Sequence, residues 1–139
     1  MKWKEPLSDE FIEEILKKFR IKLPNDYITF LKTHRRIDSE GVIELKIYLK
    51  GKPRSIGIEP TYFNAIEFFE ANTYLKHDPE IKKNDLVAIC KGVDGEILLI
   101  GASDDNLGKI YYCENDLSEF YLVADSFTEF KATIAHLID

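Results

Sequence analysis

Apolar residues Phe11, Ile12, Ile15, Leu16 and Phe19 recur at helical spacing behind Ser8, while Glu13, Glu14, Lys17 and Lys18 fill the opposite face. This pattern predicts an amphipathic helix, with acids leading and bases trailing in the order that suits the helix dipole. A second helix is predicted after Ile21-Lys22-Leu23-Pro24, where proline belongs in a first turn because its missing N–H has no intrahelical partner to lose. Its buried stripe is Tyr27, Phe30 and Leu31, and it ends in the polar run from His34 to Gly41. From Val42 the period becomes two. Ile43, Leu45, Ile47 and Leu49 alternate with Glu44, Lys46 and Tyr48, as in a strand with one buried face. Gly51-Lys52-Pro53 reads as a turn and Ser55–Ile58 as a short return strand. Ile66, Phe69 and Ala71 among polar neighbours predict a third helix over Asn64–Tyr74, ended by His77-Asp78-Pro79.

The second half of the chain is richer in strands. Leu86–Cys90 and Ile97–Ile100 are apolar runs joined by Val93-Asp94-Gly95-Glu96, whose Asp-Gly pair tolerates the positive φ of a tight hairpin. Asp104–Gly108 forms another turn, in which Asp and Asn supply local side-chain hydrogen bonds, and Lys109–Cys113 is the next strand. Asn115-Asp116 turns again into Tyr121–Ala124. Ser126 and Glu129 then form a capping box that opens a helix through Phe127, Phe130, Ile134 and Leu137. Strands linked by short turns and flanked by separate helices predict a single α+β domain over residues 1–139. Its sheet is mainly antiparallel and curved, with amino-terminal helices, one middle helix and a carboxy-terminal helix packed around it.

Length and composition narrow the class. A chain of 139 residues can bury about 70% of its unfolded surface, which is enough for a core without disulfides or structural metal. No apolar run approaches the ~20 residues of a membrane span, and no apolar signal core follows Met1–Pro6, so a cytoplasmic protein is expected. The formal charge of −6 disfavours phosphate backbones and anionic lipid and suits a basic partner. Two cysteines, Cys90 and Cys113, make neither a disulfide framework nor a zinc knuckle and read as reduced core thiols.

Candidate chemistry is sparse. His34, His77 and His136 form no metal-binding pair, and His77-Asp78-Pro79-Glu80 reads as a solvated loop. Asp104-Asp105-Asn106 has too few ligands for a calcium loop. No serine lies in a nucleophile elbow, and thiols inside apolar strands are inert. Asp94 and Glu96 flank a hairpin turn, where solvation keeps carboxylates from acting as general acids. No Gly-rich phosphate cradle occurs. These readings predict no catalytic residue, no metal and no cofactor. A hydrolase using His77 or Cys90 is the enzymatic alternative.

Surface residues remain. Asp94, Glu96, Asp104, Asp105, Glu114, Asp116 and Glu119 collect in the turns of the strand meander, interleaved with Tyr111, Tyr112, Phe120 and Tyr121. Tyrosines beside carboxylates suit a protein-binding patch, since tyrosine offers area with few rotatable bonds and a polar tip. The plainer account has alternate aromatics facing the core and the acids keeping the turns wet. Candidate partner-binding residues are Asp94, Glu96, Asp104, Asp105, Tyr112, Glu114, Asp116 and Glu119.

The order of short motifs resembles the SUKH superfamily. Leu7-Ser8 with the first helix, then Leu23-Pro24-Asn25-Asp26-Tyr27-Ile28-Thr29-Phe30-Leu31, is similar to that group's opening. The likeness continues in Leu86–Ile89, Gly95–Ile100, Gly108–Tyr112 and Val123–Phe130. The group includes yeast cell-wall assembly regulator-like domains and many bacterial immunity proteins. The resemblance implies a non-enzymatic domain that binds and neutralises a cognate polymorphic or contact-delivered toxin domain in the bacterial cytoplasm. Such a toxin is frequently a nuclease, and a nuclease is basic because it grips phosphates. The alternative is an intracellular regulatory adaptor for an endogenous protein partner. Either a monomer or a homodimer is compatible with the sequence.

Overall fold

A computed structural model describes residues 2–3, 8–19, 21–33, 37–38, 43–49, 51–59, 72, 79, 81, 85–92, 94–114 and 119–134. Ser8 begins the first helix, because its carbonyl accepts the first i→i−4 bond from Ile12. Helix α1 covers Asp9–Phe19 and helix α2 covers Asn25–Thr33. The Pro24 carbonyl takes the bond from Ile28, so the proline sits at the helix boundary, where an absent N–H costs nothing. Strands β1 (Lys2–Trp3) and β2 (Ile37–Asp38), which the residue pattern does not announce, form a separate two-stranded ladder. The expected third helix, Asn64–Tyr74, lies outside the described residues except for Asn72, as do His34, His77 and His136.

The main sheet is antiparallel, as expected. Its strands are β3 (Ile43–Leu49), β4 (Lys52–Glu59), β5 (Leu86–Gly92), β6 (Ile97–Gly101), β7 (Ile110–Cys113) and β8 (Phe120–Ala124), in the spatial order β3-β4-β5-β6-β7-β8. The return strand is longer than the sequence suggests. Lys52 pairs with Leu49 and Pro53 with Tyr48, so both residues expected in the turn belong to the strand. Proline is tolerated there because, among the described residues, β4 is paired on its far side only through Ile58 and Glu59.

Among the described residues, the ladder between hairpin and meander consists of two pairs, Ile58–Gly92 and Glu59–Lys91. Because the strands are antiparallel, residues 52–57 run past the end of β5 and overhang the β5–β6 turn. The sheet also coils until Cα atoms of β3 and β8 approach within 8 Å. Its concave face holds Ile47, Ile56, Leu98, Ile100, Ile110 and Tyr112, covered by Ile12, Tyr27, Phe30 and Leu31 from α1 and α2 and by the closing helix α3 (Phe127–Ile134). Phe127 is the hub, with ring centroids 4.8 Å from Tyr27 and 5.0 Å from Phe30. Ile81, Leu86, Leu99 and Cys113 form a second cluster on the convex face.

Helix α3 is held at its start by two acceptors. Ser126 Oγ accepts the Glu129 N–H at 3.1 Å, as the capping box predicts. Asp26 Oδ2 accepts both the N–H and the Oγ1–H of Thr128 at 2.9 Å, which ties α2 to α3 across the chain. A carboxylate at a helix N-terminus is favourable because it meets unpaired N–H groups and the positive end of the dipole. Of the described helices, none is long and apolar enough to cross a membrane.

Candidate partner-binding site

An up-and-down meander puts alternate turns at opposite ends of its strands. Asp94 and Glu96 lie in the β5–β6 turn, and Glu114 and Glu119 flank the β7–β8 connection at that same end. Asp104 and Asp105 occupy the β6–β7 turn, roughly 16 Å away along five-residue β6. The acids expected as one face therefore form two groups, and Asp116 lies outside the described residues.

At the far end the turn is bound to the chain itself. Ser103 N–H and Oγ–H both donate to Asn106 Oδ1, at 3.1 and 2.8 Å, the local side-chain bonding expected of this turn. Lys22 Nζ meets Asp104 Oδ1 at 2.9 Å, and Pro24 packs against Gly108. Asp104 and Asp105 are exposed, but Asp104 already has a cation.

The near end is different. The Asp-Gly turn closes as the sequence predicts, with Gly95 at φ +90° and its N–H donating to the Gly92 carbonyl. Glu96 departs from expectation: it is not solvated, but 6% exposed. Its Oε1 accepts the Asp94 N–H at 2.8 Å, and its carboxylate fills the space left by the missing side chain of Gly92. Parity explains this position, since Glu96 shares the concave face with Leu98 and Ile100. Tyr112 also departs from the surface patch and is fully buried in the concave core. Tyr111 and Phe120 pack against the convex cluster, so the meander's aromatics divide between the two faces of the sheet. Asp94 and Glu119 are exposed, and Tyr121 donates its hydroxyl to Glu119.

One contributor was not visible in the residue pattern. Arg54, on the overhanging part of β4, donates to Glu114 Oε1 at 2.5 Å and lies 5.6 Å above the Tyr112 ring. The hydrogen bond to Glu114 raises the guanidinium's basicity. Arg54, Glu96 and Glu114, with the neutral phenol of Tyr112 among them, form a polar layer closing this end of the concave face. Strand parity and the β4–β5 register bring them level, and the latter depends on pairing between distant segments.

Burial lifts the Tyr112 pKa to about 12, against the lowering influence of Arg54, and burial also raises Tyr27 well above the usual phenol value. Above pH ~10 the unfolded chain loses these protons while the native state holds them, so stability falls as pH rises from about 10 through about 12. The Tyr112 hydroxyl is buried with no hydrogen-bond partner among the described residues. Tyr112→Phe is therefore expected to stabilise the chain by about 1 kcal/mol at neutral pH and to flatten part of the alkaline decline. Urea titrations at pH 7 and pH 11 measure both effects, and a destabilised phenylalanine variant would show that the hydroxyl is satisfied.

Cys90 and Cys113 are buried and unbridged, as expected for core thiols. Among the described residues no group of three or more His, Cys, Asp or Glu is placed to hold a metal ion. No curated protein matches the chain at a significant level. The family model described as SMI1 / KNR4 family (SUKH-1) matches residues 6–133, nearly the whole chain, and the chain belongs to that family.

Proposed function

We propose that this chain is a non-enzymatic immunity protein that binds and neutralises a cognate toxin domain in the cytoplasm of the cell that makes both. The observation that carries this reading is the family match over residues 6–133. The formal charge of −6 supports a basic partner, such as a nuclease that must grip phosphates, because opposite potentials steer encounter and fix register. Asp94, Glu114 and Glu119 are the candidate contacts among the exposed or half-exposed acids of the near end. Glu96 and Tyr112 stand behind them as buried support, while Asp104 and Asp105 at the other end form a separate candidate face.

Co-expression tests the reading. The carboxy-terminal domain of the large polypeptide encoded next to this gene is induced with and without this chain. Killing that this protein alone suppresses, together with a stoichiometric complex on sizing, is the expected result. Killing that proceeds regardless, or a harmless neighbour, removes the immunity role and favours an adaptor for an endogenous partner.

A further inference from the structure

The near end of the curled sheet holds a cation of the chain's own against its acids. Residues 44–54 carry Lys46, Lys50, Lys52 and Arg54 against the single carboxylate of Glu44, in a chain whose net charge is −6. Of these cations Arg54 is seated at the meander's end, donating to Glu114 with both side chains close to half exposed. An ion pair in that setting adds little net stability, because water and salt screen it and two side chains lose rotamer freedom. It is easily exchanged for a better-placed cation.

A second observation points the same way. The Tyr112 ring lies beneath the Arg54 guanidinium, and its buried hydroxyl has no hydrogen-bond partner among the described residues. Buried polar groups are satisfied in the great majority of native structures, so an orphan hydroxyl is retained at a cost to stability. The hydroxyl also lies within the fields of Arg54, Glu114 and Glu96. A group at this position can accept from a guanidinium that approaches Glu114 from outside, once Arg54 has moved off the ring.

We propose that Glu114, with the Tyr112 hydroxyl behind it, is the docking point for an arginine of a basic protein partner, and that Arg54 occupies that point in the free chain. This deepens the reading of the chain as a binder of basic proteins and rests on it. Arg54 thus acts as a stand-in for the partner's cation. It keeps Glu114 paired while the chain is alone, and it sets a threshold that weakly basic proteins do not pass.

The test uses a fluorescent tetra-arginine peptide and the full chain, with binding read by anisotropy at low salt. Arg54→Gln is expected to bind the peptide about tenfold tighter than wild type, since it removes the competitor for a charge-assisted hydrogen bond. Lys52→Gln makes the same charge change on the same hairpin and is expected to shift affinity by no more than about twofold. Glu114→Gln is expected to weaken binding about fivefold or more, against about twofold or less for Asp104→Asn at the other end. Adding Tyr112→Phe to Arg54→Gln is expected to return about half of the gained free energy while leaving the chain no less stable to urea. An Arg54→Gln no tighter than Lys52→Gln, a Glu114→Gln no weaker than Asp104→Asn, or no effect of Tyr112→Phe overturns the proposal. The peptide involves no toxin, so the two readings fail separately. Lost rescue with intact peptide selectivity removes the immunity role alone, and rescue without selectivity removes the docking point alone.

Discussion

Replacing Asn72 with alanine is expected to lower the free energy of unfolding by about 2–6 kcal/mol, with each of two buried backbone groups left unsatisfied at a cost of about 1–3 kcal/mol. Asn72 Nδ2 donates to the Ala88 carbonyl at 2.8 Å, and its Oδ1 accepts the Ala88 N–H at 2.7 Å. Both partners are essentially out of water, at 2% and 0% exposure. The need arises from the splayed join between hairpin and meander. Strand β4 pairs with β5 only at Gly92 and Lys91, so Ala88 has no neighbouring strand on that side among the described residues. A register shift between Ala88 and Cys90 also disturbs the ladder there and turns both Ile89 and Cys90 toward the concave core. The carboxamide supplies one donor and one acceptor, as a neighbouring strand would.

Two variants separate this from mere loss of packing. Asn72→Leu fills similar volume and is expected to be about as damaging as alanine, since it restores neither bond. Asn72→Asp at neutral pH accepts from the Ala88 N–H but sets a carboxylate against the Ala88 carbonyl. Relative to wild type at the same pH, it is expected to recover stability as the carboxyl protonates and regains a donor. Urea midpoints at pH 7 and pH 5 decide the matter. A leucine variant as stable as wild type would mean the backbone groups find water or other partners.

The second large effect is expected at Gly101. A Cβ built there would lie 2.0 Å from the carbonyl oxygen of Asn106 and 2.7 Å from its carbonyl carbon, and both are backbone atoms that no side-chain rotation can move. Gly101 also donates to the Lys109 carbonyl at 2.9 Å and accepts from the Gly108 N–H at 3.0 Å, so the turn is drawn tightly over it. Gly101→Ala must therefore push the 103–106 loop outward, breaking the Ser103–Asn106 bonds and the docking of Gly108 on Pro24. A loss of about 3 kcal/mol or more is expected, at the upper end of overpacking costs. Gly51 provides the contrast. It has φ +79° and nothing within 4 Å of an added Cβ, so Gly51→Ala meets only the conformational penalty of about 1–2 kcal/mol. Thermal unfolding of both variants tests this order, and equal losses would show that the loop yields without resistance.

Most elements could be read along the chain because they are written in local periodicity. Ile12 and Leu16, Tyr27 with Phe30 and Leu31, and Phe127 with Phe130 recur at helical spacing, and each set turns to the core. The Ser126–Glu129 box and the Asp94-Gly95 pair act within a few residues, so their chemistry is independent of the remaining fold. At Pro53 the β3–β4 hairpin departs from the local pattern, because the proline pairs with Tyr48 inside the strand. Proline usually breaks a ladder, and it is harmless there because the far side of β4 at Pro53 is unpaired among the described residues.

The candidate site was less accessible. Composition and turn positions identified the acids, but a meander distributes its turns between two ends, so a run close in sequence separates in space. Glu96 and Tyr112 look like surface residues by type, yet strand parity points them inward. By itself, the sequence determined the α+β class, the two amino-terminal helices, the closing helix with its Ser126 cap, the meander and the acidic balance, because each rests on local periodicity or on charge that needs no geometry. Tertiary structure alone decided that Arg54 meets Glu114 across 60 residues, that Asn72 serves Ala88 and that Asp26 holds Thr128. Each of these depends on strand register and coiling, and those are set by the packing of distant segments against one another.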